Sequence, residues 1–324
     1  MAGRPLIIDT DSGYGFAEAL MLIDGCGLFD IKGVCTVFGS ASSHRGAAHA
    51  SYLRDLCGGQ WPVVVGAERP LVVRRKDKGT NTDCSVLDEL APAATEKEDL
   101  PEHPWDLIYR TAVEQNGELE LFCTGPLTNI AVSVIRHRDL PKYIKRITIA
   151  GGASRRGDAT PYAEFNIYSD PHAFKCILDA GFSQIDLADL EFCRSAHLTA
   201  EEAKNIGSLS PDNPWRDLLG KTVTSGNARS RELSGLLELD RTKTVVSHDA
   251  AAAFVLTIPA AITSAGVYTM VEQRSEMSSG RTLFDFGKRF TDGPNVRLAR
   301  YTTREMFSDF YFRCLRSFDR RMLR

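Results

Sequence analysis

Two acidic residues follow an apolar run near the start of the chain. Leu6-Ile7-Ile8 is typical of a buried strand, and Asp9 and Asp11 come directly after it, at a turn marked by Ser12-Gly13. A carboxylate at this place can anchor a polar ligand or act as a general base. For Asp11 the alternative is a turn carboxylate that caps the next helix. Asp9 is predicted to be structural, accepting backbone N–H bonds at the turn.

The elements that position these acids are strands and helices in alternation. The strand candidates are PLIID, FDIKGVCTVF, WPVVVGA, LELFCTG, RITIAGG and QIDLADL, with helical patterns such as GFAEALMLIDGC and PLTNIAVSVIRHR between them. This order predicts an α/β fold with a mostly parallel sheet flanked by helices. Ligands of such sheets bind outside the carboxyl ends of the strands. The residues just past each strand are therefore site candidates.

The pattern changes after about residue 198. Residues 199–263 are predicted to form a helical cap, and residues 266–286 a β-hairpin that turns at Ser278-Ser279-Gly280. The segment VRLARYTT is predicted to be a strand that leads into a C-terminal helix. No linker rich in Pro, Gly or Ser separates these parts, so residues 1–324 are predicted to form a single domain.

Charge and apolar patterning argue against nucleic-acid and membrane partners. The chain has 324 residues, a net charge of -3 and no dense run of Lys or Arg. The uncharged stretch 250–271 contains Thr257, Pro259 and Gly266, which favours a helix, a turn and a strand over a membrane span. The start lacks a secretory apolar segment, and the eight cysteines include no C-x-x-C pair. These observations predict a cytoplasmic protein with reduced thiols.

Four segments, in order along the chain, match one known family. They are DTDSG, CTGPLTNIA, TPYAEFNIYSDPHA and the His248-Asp249 pair in VVSHDAAAAF. Together they resemble the motifs of the nucleoside hydrolases. AEFNIYSDP is the most specific of the four, and DTDSG by itself would be weak.

The resemblance implies an enzyme that hydrolyses the N-glycosidic bond of nucleosides. In that family a calcium ion at the bottom of the pocket holds a water and the 2- and 3-hydroxyls of ribose. By analogy, Asp11 would be the base that activates the water. Asp249 and the carbonyl of Thr124 would bind the metal. Carboxylates near the sugar also suit the oxocarbenium-like transition state of this reaction.

The family pattern also assigns roles to residues on the ligand's other sides. Glu164 and Asn166 would hydrogen-bond the sugar hydroxyls, and His248 would lie near the leaving base. The alternatives are that His248 is a satisfied buried histidine and that Asp249 is the N-cap of the apolar helix after it. Asp170, before Pro171, is predicted to cap a helix. The resemblance further implies a homodimer or homotetramer.

The opening segment departs from the family pattern at two positions. The family has two consecutive aspartates where this chain has Gly15 and Phe16. The first normally contacts ribose hydroxyls and the second supplies a carboxylate to calcium. The expected calcium ligand set is therefore incomplete, and we predict that no metal or other cofactor is bound. For Phe16 a pocket wall is preferred over simple core packing.

Three further departures concern the substrate. Ser40 stands where the family usually has a sugar-binding asparagine, and Asp158 where it has an asparagine near the 5-hydroxyl. A carboxylate at position 158 would favour a cationic group or repel a phosphate. The segment GTNTDCSVLDEL lacks the His-Gly loop typical of base-facing loops.

Two classes of function remain open at this point. The preferred hypothesis is an N-glycosidase that cleaves a nucleoside or related glycoside with an altered, metal-free site. The alternatives are a non-catalytic homologue that binds such a ligand, and a different reaction on a related ligand. A residue of the predicted cap, such as Glu232, could refill the emptied cage, and the sequence does not decide this.

Overall fold

The protein is described here from a computed structural model. The described residues are 3–72, 85–91, 102–208, 214–224, 227–290 and 293–322. Eleven strands lie within these ranges: β1 Arg4–Thr10, β2 Phe29–Thr36, β3 Val63–Val65, β4 Leu119–Cys123, β5 Ile144–Ala150, β6 Ile185–Ala188, β7 Leu198–Thr199, β8 Thr244–Val245, β9 Thr263–Val271, β10 Thr282–Asp285 and β11 Val296–Tyr301.

The same ranges contain twelve α-helices: α1 Phe16–Cys26, α2 Ser43–Leu56, α3 Ser85–Leu90, α4 Pro104–Glu114, α5 Thr128–Arg136, α6 Phe165–Ser169, α7 Pro171–Asp179, α8 Ala200–Ser208, α9 Pro214–Thr222, α10 Ala228–Leu236, α11 His248–Thr257 and α12 Arg304–Met322. Short 3-10 helices cover Leu140–Tyr143, Leu190–Arg194 and Pro259–Ala261.

Nine strands form one mixed sheet in the order β10-β9-β11-β6-β5-β4-β1-β2-β3. The run from β11 to β3 is parallel, and β9 is antiparallel to both β11 and β10. The predicted mostly parallel sheet with flanking helices is therefore confirmed. The predicted C-terminal hairpin is confirmed as well, since Thr282 of β10 pairs with Val271 of β9.

Both faces of the sheet are buried, which is why its strands read as continuous apolar runs. In β1, Leu6 and Ile8 belong to the hydrophobic cluster that also contains residues of α1, α11 and α12. Ile7 between them points to the other side, into the cluster with α4, α5 and α7. This alternation follows from the two-residue period of a strand.

Residues 199–263 are helical in large part, with one element that the sequence did not predict. Helices α8, α9, α10 and α11 fall in this segment, and a short antiparallel pair links β7 before α8 to β8 before α11. The uncharged stretch after residue 250 is α11, a 3-10 turn and β9, as predicted. Within the described residues no helix is long and apolar enough to cross a membrane.

Candidate active site

A cavity opens at the carboxyl end of the parallel strands. It holds about 50 Å³, room for a few water molecules. Its lining comprises Asp11, Gly13, Tyr14, Ser40, Thr124, Asp158, Glu164, Phe165, Asn166, Arg229, Leu233, His248 and Asp249. Eight of the nine predicted site residues are thus brought together; the ninth, Phe16, is not in this lining. Arg229 and Leu233 of α10 contribute to this lining.

Asp11 follows β1 and is held in place by two backbone N–H groups. Gly13 N donates to its Oδ1 at 3.2 Å, and Ser40 N donates to its Oδ2 at 2.8 Å. Burial raises the pKa of Asp11 to about 6, although the N–H of Ser40 opposes the shift. Each carboxylate oxygen has a further lone pair. Asp11 can therefore accept a proton from a molecule in the cavity.

The backbone that surrounds Asp11 is close enough to require glycine. A Cβ atom on Gly125, in the loop after β4, would lie 2.7 Å from the backbone nitrogen of Asp11. A Cβ on Gly39, after β2, would overlap the carboxylate of Asp11 itself. These glycines let three strand ends converge on one carboxylate.

Asp9 has a structural role, with a partner that differs from the predicted one. Its Oδ1 accepts from the side-chain amide of Asn129 at 2.7 Å, where backbone N–H partners were expected. The same amide of Asn129 donates to the carbonyl of Thr36, and its oxygen accepts from Ala67 N. Asn129, in the CTGPLTNIA segment, therefore ties together the ends of β1, β2 and β3.

Glu164 and Asn166 are both buried at the cavity, and both are engaged by the protein backbone. Glu164 is the N-cap of α6, and its carboxylate accepts from the backbone nitrogens of Gly152, Asn166 and Ile167 at 2.9 to 3.1 Å. Burial and the nearby Asp158 raise the pKa of Glu164. Asn166 Nδ2 donates to the carbonyl of Ala150 at 3.0 Å and to that of Thr124 at 3.3 Å. The side-chain oxygen of Asn166 is the atom left to face a ligand.

Asp249 lies inside the first turn of α11, and it is not the N-cap. That role belongs to Ser247, whose hydroxyl accepts from Ala250 N. Desolvation raises the pKa of Asp249 well above its usual range, and the neighbouring Asp11, Glu18 and Glu164 add to the shift. A Cβ on Gly15 would lie 2.9 Å from Ser247 Oγ and 3.0 Å from Asp249 Oδ2. Glycine at position 15 is therefore what allows Ser247 and Asp249 to pack here.

Phe16 lies in the core, where a pocket wall was preferred in the sequence reading. It is the first residue of α1, is 1% exposed and belongs to the same hydrophobic cluster as Leu20 and Phe254. It is absent from the cavity lining. All residues of α1 from Phe16 to Ile23 are buried.

His248 is neutral and already bonded through one ring nitrogen. Its Nε2 lies 2.7 Å from the carbonyl oxygen of Ala188, a partner to which only an N–H can donate. Burial lowers the pKa of the imidazole. In this state Nδ1 carries no proton, so His248 is not arranged to protonate a leaving base.

Asp158 is paired with a cation from the cap. Its Oδ1 accepts from Phe165 N at 2.8 Å, and its Oδ2 accepts from the guanidinium of Arg229 on α10. Only 2% of the Asp158 side chain and 13% of the Arg229 side chain are exposed. The sequence predicted that Asp158 would favour a cationic group of the ligand or repel a phosphate; in the structure its cationic partner is Arg229, 71 positions away.

Five residues of the lining were not predicted from the sequence, and two of them, Tyr14 and Arg229, have polar side chains. Tyr14 donates its hydroxyl to the carbonyl of Val246 at 2.8 Å, which links the opening segment to the residue before the α11 cap. Its position between Gly13 and Gly15 was the available signal. No local pattern marks Arg229. Glu232, suggested as a residue that could refill the cage, instead accepts from Arg229 at 2.8 Å, and 55% of its side chain is exposed.

Two other predictions have simple outcomes. Asp170 is the N-cap of α7, where its Oδ1 accepts from Ala173 N at 3.0 Å, as predicted. In the segment GTNTDCSVLDEL, residues 79–84 lie outside the described residues, and its last part forms α3.

The calcium ligand set that the family resemblance implies is incomplete in this chain. Calcium takes six to eight oxygen ligands, several of them carboxylate. Here Asp11 and Asp249 provide the carboxylates, the Thr124 carbonyl already accepts from Asn166, and positions 15 and 16 provide none. Within the described ranges no group of three or more His, Cys, Asp or Glu side chains is placed to hold a metal ion.

Sequence comparisons relate this chain to known proteins. A model of the family "Inosine-uridine preferring nucleoside hydrolase" matches residues 6–309. The non-specific ribonucleoside hydrolase RihC of Shigella boydii is 29% identical over 303 residues, 91% of this chain and 92% of that protein. The pyrimidine-specific ribonucleoside hydrolase RihA of Photobacterium profundum is 34% identical over 213 residues, 64% of this chain and 67% of that protein.

Solved structures agree on the fold. A plant nucleoside hydrolase, PpNRh1, superposes with a TM-score of 0.84 at 23% identity, covering 96% of this chain and 98% of that one. A purine-preferring ribonucleoside hydrolase from Gardnerella vaginalis gives 0.82 at 19% identity, covering 99% and 100%. The chain belongs to the inosine-uridine preferring nucleoside hydrolase family.

Proposed function

We propose that this protein is an N-glycosidase that hydrolyses a nucleoside or a closely related N-glycoside without a metal ion. The observation that best supports the proposal is Asp11, a buried carboxylate at the cavity, held by two backbone N–H groups and raised in pKa. A base with a pKa near the working pH is well suited to take a proton from water.

The reaction that these residues support begins with a water in the cavity. Asp11 accepts a proton from this water as its oxygen forms a bond to the anomeric carbon. The bond between that carbon and the base nitrogen breaks, and the base leaves with the electron pair. A proton from solvent then neutralises the base, because His248 holds no proton for it. Those acids of the lining that are ionised stabilise the positive charge that develops on the sugar.

The sugar is bound by the residues of the AEFNIYSDP segment and its neighbours. Asn166 offers its side-chain oxygen and Ser40 its hydroxyl, and both line the cavity with Glu164. We assign these three to the sugar hydroxyls.

We also propose, from the family resemblance, that residues 1–324 form one domain capped by residues 199–263 and assemble as a homodimer or homotetramer.

A second candidate function is favoured by the state of His248. A homologue that binds a nucleoside without cleaving it needs no acid for the leaving base, and Nε2 of His248 is committed to Ala188. The two candidates differ in one observable: the binding protein retains its ligand unchanged.

The test is a hydrolysis assay on chelator-treated protein, with a panel of purine and pyrimidine nucleosides and release of free sugar as the readout. We expect hydrolysis of at least one compound, unchanged by added calcium, and a loss of about 100-fold or more in Asp11→Asn. Asp55→Asn, which changes an exposed side chain of α2, is the matched control. Activity that appears only when calcium is restored would contradict the metal-free site, and binding without turnover would favour the second candidate.

A further inference from the structure

The acids that line the cavity outnumber its cations. The lining contains four carboxyl side chains, those of Asp11, Asp158, Glu164 and Asp249. His248 is neutral, so Arg229 is the one permanent cation among the described residues of the lining. Carboxylates that share a small site repel one another unless a cation lies among them.

Arg229 reaches this position from α10, far along the chain from the acids. Asn227 caps the helix with its side chain, accepting from Ser230 N at 3.1 Å. Ser230 Oγ in turn accepts from Val246 N at 2.9 Å, which fixes the first turn of α10 against the strand that precedes His248. The guanidinium is thus held at the cavity by a helix with defined contacts at its N-terminus.

The guanidinium retains donors for a ligand. Within the described part of the chain it donates to Asp158 and to Glu232, which engages two of its five N–H groups. Although burial opposes it, the Asp158 carboxylate raises the pKa of Arg229, so the charge is permanent. The positive charge also lowers the pKa of Asp249 against the stronger effect of desolvation.

We propose that Arg229 is the resident cation of this site: it takes the electrostatic place of the metal ion whose ligand set is incomplete in this chain, and it binds oxygen atoms of the sugar. The proposal rests on the N-glycosidase function proposed above. A guanidinium offers parallel N–H donors at fixed geometry, which suits two neighbouring oxygens such as those of a vicinal diol. Asp158 keeps the guanidinium in place and makes it a built-in part of the pocket.

The alternative is that the Arg229–Asp158 pair only fastens the cap to the rest of the molecule. Arg194 offers a matched control for that role. It fastens the other end of the same helix, donating to the carbonyl of Leu237 at 2.6 Å, and it does not line the cavity. If the pair only fastens the cap, Arg194→Ala and Arg229→Ala should lose similar activity. If Arg229 is the cation of the site, only Arg229→Ala should lose activity.

The experiment measures kcat and KM for Arg229→Ala, Arg229→Lys and Arg194→Ala on the substrate found in the panel assay. We expect Arg229→Ala to lose about 100-fold in kcat/KM. Lysine retains the positive charge but not the parallel N–H donors of the guanidinium. The kcat/KM of Arg229→Lys should therefore be about tenfold higher than that of Arg229→Ala. Guanidinium chloride, compared with sodium chloride at equal ionic strength, should partly restore Arg229→Ala. Equal losses in Arg229→Ala and Arg194→Ala, or no rescue by guanidinium, would overturn the proposal.

A binding measurement separates this proposal from the proposed hydrolysis. D-ribose is the probe, followed by saturation-transfer NMR on the wild-type protein and the same variants. If the wild type binds ribose but cleaves no nucleoside, and Arg229→Ala binds only with guanidinium present, the cation role is supported although the hydrolase function fails. Ribose binding by Arg229→Ala equal to that of the wild type would overturn the cation role, and so would a wild type that binds no ribose.

Discussion

Single residues set the chemistry of this pocket, and two of them, Gly15 and Phe16, matter because they carry no carboxylate. Gly15 leaves room for Ser247 and Asp249, whose atoms lie within 3.0 Å of where its Cβ would be. Phe16 contributes to the core at the start of α1. Restoring aspartates at both positions would therefore crowd Asp249 and bury a charge in an apolar cluster. Calcium titration of the unmodified protein is the more informative experiment, because that variant would be unstable.

The pH dependence of catalysis is a prediction at the same scale. Asp11 acts as a base only when ionised, and burial raises its pKa to about 6 from 3.8. The rate should therefore be low at pH 5, rise through about pH 6 and level off above it. A profile of kcat/KM against pH checks this. A profile that is flat between pH 5 and 8 would argue against Asp11 as the base.

Elements determine how the site residues are supported from below. Helix α1 packs against α11 and α12, and it carries Glu18 into their apolar interface, where the side chain is 4% exposed. Burial raises the pKa of Glu18 to about 7, although Ser247 and Tyr311 oppose the shift. Glu18 also raises the pKa of Asp249, so the packing of α1, α11 and α12 affects the protonation of a cavity residue.

Glu18 therefore predicts a pH-dependent stability. Its pKa is raised from 4.5 to about 7, so the unfolded chain releases the proton more readily than the folded one. The stabilisation is fully present below pH 4.5 and is lost as the pH rises through about 7. Glu18→Gln stays neutral, so its Tm should exceed that of the wild type at pH 8 and match it near pH 5. Thermal melts across this range test the prediction, with Asp55→Asn as control; a constant difference in Tm would refute it.

At the scale of the whole molecule, the two ends of the parallel strands have different roles. The cavity lies at the carboxyl ends of the strands, and an ionic ladder crosses the opposite ends. Arg4, Glu120, Arg146, Asp186 and Arg297 alternate in charge across β1, β4, β5, β6 and β11. Arg146 also donates to the carbonyl of Leu256 at 2.8 Å, which ties the ladder to the end of α11. Function and stability are thereby separated along the sheet.

The ladder predicts a loss of stability without a loss of activity. In Glu120→Gln the Arg146 guanidinium, 7% exposed, loses one of its two carboxylate partners. Breaking a buried pair from one side costs about 3–5 kcal/mol. Glu118→Gln breaks the exposed pair with Lys145 nearby and should cost under about 1 kcal/mol. Urea unfolding measures both, and kcat well below the melting temperature should be unchanged; equal free energies of unfolding would contradict the prediction.

The sequence by itself determined the fold and which acidic residues line the pocket. Strand and helix periods are local, so β1 to β6, the helices α1, α2, α4, α5 and α7 and the C-terminal hairpin could be predicted from residue patterns. The positions after the strands were enough to gather Asp11, Ser40 and Thr124 at one edge, because parallel strands end on the same side. Glu164 and Asp249 were predicted from the family resemblance instead.

Only the tertiary structure decided which groups each side chain meets. The pairing of Arg229 with Asp158, the bond of His248 to Ala188 and the burial of Phe16 join parts of the chain that no local pattern connects. Helix α11 packs on β5 and β6, where Nε2 of His248 is bonded to Ala188, and α10 brings Arg229 to Asp158. A side chain's type is encoded in the sequence, but its partner depends on how distant segments are brought together.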